Sequence, residues 1–447
     1  MKYNFNLFHF LILSLLCACK PNLKQPTPES GIIDVSKYIA IGGSLTSGFA
    51  DGALYFEAQQ NSMAAILAKQ FELIGGGVFN QPLVSTSSNG LAVILNNTLS
   101  VTAKSILGNK TDCLGNVSLS PIKLQANSTY ADLVTSIYNS TGFNNLGIPD
   151  SKSFHLLYKG YGNLGGSYYN PFFQRICSNS TNASVVNDAV NQNPTFFTLQ
   201  TGWHDVLSYA LSGGTSDNIT SVEKFKNALD SIVNELTKNG AKGAVANIPS
   251  IRTLPYFNTI VYNALKLDVT TAENLSLFYA NLDSTKFYEG NNGFIIMDSN
   301  NSILGFRQAV KGELILLNTP LDSIKCNKMG SLIPIPNRYS LTLTEINQIE
   351  SAIMNYNSIL KNICTAKDLA YVDVNSFFDK IKSGYIYNGI SVNANFVSGG
   401  FYSLDGLNLT PRGNALLTNE FIKAINEKYK STIPEVDAAK YRAVIFP

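Results

Sequence analysis

Ile39-Ala40-Ile41-Gly42-Gly43-Ser44-Leu45-Thr46-Ser47-Gly48 decides the fold. A short apolar run, Tyr38 to Ile41, ends in two glycines and a serine. An apolar run closed by glycines reads as a buried strand turning sharply. A serine on that turn is held at the strand's C-terminal end, where open α/β sheets place their active sites. Such a turn offers both a hydroxyl and backbone N–H groups.

Working outward, strand-like and helix-like segments alternate. A helix is expected over about Glu57 to Phe71. Thr195 to Leu199 (TFFTL) reads as a buried strand. Thr220-Ser221-Val222-Glu223 has the form of a capping box. Its helix puts Val222, Phe225, Leu229, Ile232, Val233 and Leu236 on one face, with Gly240 just past its end. Gly243 to Ile248 is the next strand. A second capping box, Thr342 to Glu345, opens a long amphipathic helix through Ile346, Ile349, Ile353, Tyr356, Leu360 and Ile363. Leu369 to Val374 is another strand, and Thr410-Pro411 starts a last helix carrying Leu416, Leu417, Phe421 and Ile425. The alternation predicts an α/β domain with a mostly parallel sheet covered on both faces. Residues 75–140 and 250–340 break the rhythm and read as β-hairpin insertions, with Phe294–Met297 and Glu313–Leu317 as hairpin-like runs.

The 447 residues are 45% hydrophobic and 14% charged, ample for one large core. A net charge of +2 without like-charge runs argues against a nucleic-acid partner. Three histidines and no Cys-x-x-Cys argue against a metal site, and no motif calls for a cofactor.

Lys2 followed by the apolar run Leu7 to Ala18 reads as an export signal, too short to span a bilayer comfortably. Its end, Leu16-Cys17-Ala18-Cys19, resembles the lipobox of bacterial lipoproteins. That implies a signal peptide over 1–18, cleavage before Cys19 and acylation of its thiol. An ordinary secretory signal with a chance cysteine is the alternative. Lys20 in place of Asp favours the outer membrane by analogy with lipoprotein sorting, with the membrane face open. Pro21 to Ser30 is polar and Pro-rich, so 19–36 reads as a tether and 37–447 as the domain. Export permits disulfides. Pairing nearest in sequence gives Cys113–Cys177 and Cys326–Cys364; free buried thiols are the alternative.

Four ordered blocks then carry a family resemblance. Gly42-Gly43-Ser44-Leu45 resembles the G-D-S-L block of SGNH/GDSL hydrolases, with Gly43 in place of Asp. The stretch GGSLTSGFADGALY resembles the start of large SGNH-type lipoproteins of Bacteroidota-like bacteria. Phe143 to Pro149 resembles the N-x-G block, which makes Gly147 an oxyanion donor through its N–H. Thr201-Gly202-Trp203-His204-Asp205 resembles the G-x-N-D block, with His204 in place of the oxyanion-binding Asn. Ser403 to Gly413 resembles the D-x-x-H block, where Asp405 matches the orienting acid and Asn408 replaces the base histidine. The resemblance implies a three-layer, flavodoxin-like SGNH domain with Ser44 as nucleophile position.

No histidine follows His204, so no shift of register restores the base. A serine hydroxyl is a weak nucleophile until a base takes its proton, and Asn accepts none at neutral pH. Losing a triad member costs roughly 10⁴- to 10⁶-fold in rate. Asp405 is a poor direct base, with a reference pKa of about 3.9. Three readings follow. In the preferred one the domain is a catalytically impaired relative, kept to bind an acylated glycan, peptidoglycan fragment or lipid, or to serve as a subunit of an envelope complex. In the second it is an active esterase, such as a glycan deacetylase, with His204 as replacement base. The third is a structural lipoprotein with a filled cleft. Tyr158 to Tyr161 and Tyr168 to Phe173 are read as core packing, with a ligand surface as the alternative.

Overall fold

The computed structural model describes residues 27–447 except 97, 281–284 and 299–303. The signal segment, Cys19 and the first part of the tether lie outside the described residues.

Five parallel strands form the central sheet: β1 (Tyr38–Gly42), β2 (Asn145–Gly147), β3 (Phe196–Gln200), β4 (Lys242–Ala246) and β5 (Ala370–Val372). Their spatial order is β5-β4-β3-β1-β2. The chain leaves β1 towards β2 on one side, then returns to place β3 on the other. That reversal is a topological switch point, and it opens a crevice beyond the carboxyl ends of β1, β2 and β3. Gly42 pairs with both Gly147 and Gln200, so the three strands end level.

Every residue of β1 is buried, so both faces of the sheet are covered. Helices α2 (Met63–Glu72) and α8 (Pro411–Tyr429) pack together in one group. Helices α3 (His204–Leu211), α4 (Val222–Thr237) and α7 (Leu343–Ala366) form a second. Phe225, Leu229, Ile232, Val233 and Leu236 of α4 are buried as the periodicity predicts, whereas Val222 is exposed. Among the described residues the main core lies between Ile33 and Ala438, so a chain beginning at residue 27 carries all of that core.

Four helix starts have specific causes. Thr410 Oγ1 accepts from Gly413 N–H, with Pro411 at the first helical position. The N–H and hydroxyl of Thr342 both donate to Glu345. The expected Thr220–Glu223 box is displaced by one residue. Ser221 caps α4 by accepting from Lys224 N–H, while Thr220 N–H donates to the Asp205 carbonyl. The expected helix over Glu57 to Phe71 is broken into Phe56–Gln60 and α2, because Ser62 leaves the helix to cap Ala65.

Residues 92–96 pair with 98–102, and 105–111 with 117–123, in two antiparallel ladders. Further along, Ile295–Met297 pairs with Phe306–Gln308. Leu314–Ile315 makes no hairpin of its own and pairs instead with Ser340–Leu341. The 250–340 region also holds the helices α5 (Val269–Phe278) and α6 (Leu321–Cys326), and two small cores of its own.

The nearest-neighbour disulfides are not formed. Cys113 bonds Cys326 across 213 residues of sequence, while Cys177 and Cys364 are buried free thiols. The reason is placement. Cys177 ends a helix in the main core, and Cys364 lies on the inner face of α7, whereas Cys113 sits at a hairpin turn beside the end of α6. Residues 27–36, read as the end of the tether, lie against the domain: Ile33 and Val35 are buried, and Thr432 holds Glu29 through two hydrogen bonds. Among the described residues, no helix is long and apolar enough to cross a membrane.

Candidate functional site at the switch point

Ser44 opens α1 (Ser44–Ser47), two residues beyond β1. Gly42 makes the turn sterically feasible: a Cβ there would stand 2.4 Å from the Gln200 carbonyl oxygen and 2.3 Å from Thr46 Oγ1. Ser44 is itself buried. Its hydroxyl oxygen accepts a hydrogen bond from the N–H of Asp150, at 3.4 Å.

Gly147 ends β2, beside α1. Its N–H is already given to Asn145 Oδ1 at 3.0 Å. Its glycine identity has another cause: a Cβ would stand 2.2 Å from the Ser47 nitrogen, so β2 can approach α1 only without a side chain. Asn145 completes that contact by donating from Nδ2 to the Thr46 carbonyl.

The residue that does face Ser44 is Asp150, which the sequence reading did not single out. Its backbone is left-handed, with φ of 62°, a conformation that Asp tolerates better than most residues. This turns its N–H to Ser44 while its carboxylate reaches His204, with Oδ1 3.1 Å from Nε2. Surrounding protein works to raise the Asp150 pKa, but the His204 imidazole beside it outweighs that and holds the carboxyl below its ordinary value. The side chain keeps 71% of its surface open, so the imidazole governs it more than the interior does.

His204, at the start of α3, is buried. The other edge of its ring faces Gly43: a Cβ at Gly43 would stand 3.9 Å from Nδ1. No hydrogen bond joins the ring to Ser44 among the described residues. Asp205 does not hold this imidazole. Its carboxylate is fully buried and accepts from the Ser153 N–H and Ser153 Oγ, both at 2.7 Å. Burial raises its pKa despite those two bonds.

Asp405 and Asn408 form a closed unit. Asn408 Nδ2 donates to Asp405 Oδ2 at 3.0 Å, and Asn408 N–H to Oδ1 at 2.8 Å. Ser403 Oγ, Leu407 N–H and Gly52 N–H also donate to the same carboxylate. Neither residue hydrogen-bonds Ser44 among the described residues, and neither lines the cavity beside it.

That cavity is about 30 Å³, lined by Gly43, Ser44, Gln200, Trp203, His204 and Asn247 among others. It has room for about one water. Thr201 Oγ1 and Trp203 Nε1, on two of its lining residues, are buried without a hydrogen-bond partner. Of the aromatic runs, Tyr161, Phe172 and Phe173 are core residues. Tyr168 is half-exposed and meets Phe154 and Tyr158 edge-to-face and His155 at a tilt, and Lys224 Nζ lies 3.3 Å from the Phe154 ring centroid.

The fold and site define a class: an α/β protein with a parallel sheet and a serine at its switch point. No family model matches the chain, and no curated protein is detectably similar to it.

Proposed function

We propose that the chain is a lipid-anchored outer-membrane protein whose SGNH/GDSL-like domain is impaired in hydrolysis and acts by binding, either of an envelope ligand or as a subunit of an envelope complex. One observation carries this reading. Ser44 Oγ is partnered by a backbone N–H, no imidazole nitrogen hydrogen-bonds it among the described residues, and Asn408, at the position of the family's base, is engaged with Asp405. A nucleophilic serine needs a base within roughly 3 Å of its hydroxyl. A water-sized cavity is also too small for an acyl group to meet Ser44 without the surrounding loops moving apart. The Cys113–Cys326 bridge fits an oxidising compartment, in keeping with export and with Cys19 as the acylated residue.

The second reading, an esterase based on His204, is favoured by the carboxylate that holds the imidazole. If Nε2–H donates to Asp150, Nδ1 is left unprotonated on the side facing Gly43. Hydrolysis of p-nitrophenyl acetate separates the two readings. The binding reading gives a rate equal to that of Ser44→Ala; a rate abolished by both Ser44→Ala and His204→Ala establishes the esterase.

A further inference from the structure

A large cavity lies far along the chain from Ser44 and shares no lining residue with the cavity there. It measures about 640 Å³, within the usual range of small-molecule sites. It opens between the two small cores of the 250–340 region. One core is built on Leu267, Leu275 and Tyr279, the other on Phe294, Ile296 and Met329. Leu265 packs against both and lines the crevice. The remaining walls come mainly from α5 and α6, as Leu275, Phe278 and Ile324, with Leu332 from the following turn.

Two of these wall residues are costly to leave in water. Phe278 is 66% exposed and Leu332 44%. Exposed large apolar side chains gathered at a concavity mark a site for an apolar partner. The polar lining adds a sign. Lys266, Lys325 and Lys328 contribute to it, and none of the described lining residues is acidic. Lys325 is paired to Asp112. Lys266 and Lys328 make no ion pair among the described residues. The crevice therefore combines apolar walls with two available cations. The Cys113–Cys326 bridge, next to Lys325, fixes α6 against the 105–123 hairpin, so one wall is held in place before any ligand arrives.

We propose that this crevice binds a single-chain anionic amphiphile, its acyl chain lying between the two small cores and its head group meeting Lys266 and Lys328. A neutral chain would leave both ammonium groups unpaired. A small hydrophilic anion would leave Phe278 and Leu332 in water. The amphiphile satisfies both demands.

The test uses the chain from residue 27 onward, in detergent-free buffer, titrated with 11-(dansylamino)undecanoic acid and read by dansyl fluorescence. Saturable one-to-one binding is expected. Oleate and oleoyl lysophosphatidate serve as competitors, and displacement by either supports the site while identifying the head group, carboxylate or phosphate. Oleyl alcohol should compete at least about ten-fold more weakly. Lys266→Glu/Lys328→Glu should lower affinity about ten-fold or more, and Phe278→Asp should do so through the wall. Both changes are at the crevice surface, and unchanged circular dichroism confirms the fold. Absence of saturable binding overturns the proposal, as does affinity unaltered in both variants. Oleyl alcohol competing as well as oleate overturns the assignment of an anionic ligand.

Discussion

The Asp150 carboxylate and the His204 imidazole meet across the ends of β2 and β3, 3.1 Å apart, directly beside Ser44. One residue thus does two things at the switch point: its side chain occupies the imidazole and its N–H occupies the serine hydroxyl. Both depend on the left-handed backbone at Asp150.

That backbone gives a first prediction. Asp150→Ala and Asp150→Gly both remove the carboxylate, but only alanine keeps a Cβ in a left-handed conformation. Asp150→Gly should therefore be more stable than Asp150→Ala by about 1 kcal/mol, measured by urea unfolding. Equal stabilities would mean that residue 150 is not held in this conformation.

Asp205 is a structural residue, and Asp205→Asn should show it. The buried carboxylate accepts two hydrogen bonds from Ser153, one on each oxygen. An amide offers one accepting oxygen and sets an NH₂ against the remaining donor. A loss of about 1–3 kcal/mol is expected in chemical denaturation. A neutral effect would contradict the assignment.

His155 predicts a pH dependence. Burial, and then the nearby Lys152 and Lys224, lower its pKa to about 4, and its Nδ1 accepts from the Lys152 N–H as a neutral ring. The unfolded chain takes up this proton near pH 6.5 and the folded chain does not. The stability from the neutral ring is therefore full above the unfolded pKa and is lost as pH falls from about 6.5 towards 4. The loss between pH 7 and 5 should be about 2 kcal/mol from this residue. Urea unfolding at the two pH values, compared with His155→Gln, measures it; an identical pH dependence in the variant would refute it.

The Cys113–Cys326 bridge closes a very long loop of chain. Replacing both residues by serine should destabilise the domain by about 2–5 kcal/mol. In the chain from residue 27, replacing Cys177 with serine should leave the bridge intact, with only Cys364 reacting with a thiol reagent after unfolding under non-reducing conditions. Reaction at Cys113 or Cys326 would place the bridge elsewhere.

How far the sequence could be read follows the range of the forces. Strands, the long helices and the caps at Thr342 and Thr410 depend on local spacing, and they stand where periodicity and capping residues place them. The break at Ser62 carried a signal too, a serine three residues before the N–H it caps. Ser44 and His204 were legible because both follow strands directly. Asp150 was not, because its role depends on β2 lying beside β1, a fact of sheet order. Gly147 drew attention as the glycine of its segment, yet the glycine answers to the approach of α1, and its N–H goes to Asn145. The disulfide could not be read at all. Its partners meet only after the 105–123 hairpin and the 250–340 region have docked, and proximity in sequence says nothing about that.

The most direct test of the central claim is covalent labelling of Ser44. The purified chain from residue 27 is treated with a fluorophosphonate probe and analysed by peptide mass spectrometry, with Ser44→Ala as control. A serine hydroxyl with no imidazole nitrogen hydrogen-bonded to it should show no labelling above that control. Stoichiometric labelling of Ser44, lost in His204→Ala, would contradict the account and make His204 the base of a working hydrolase.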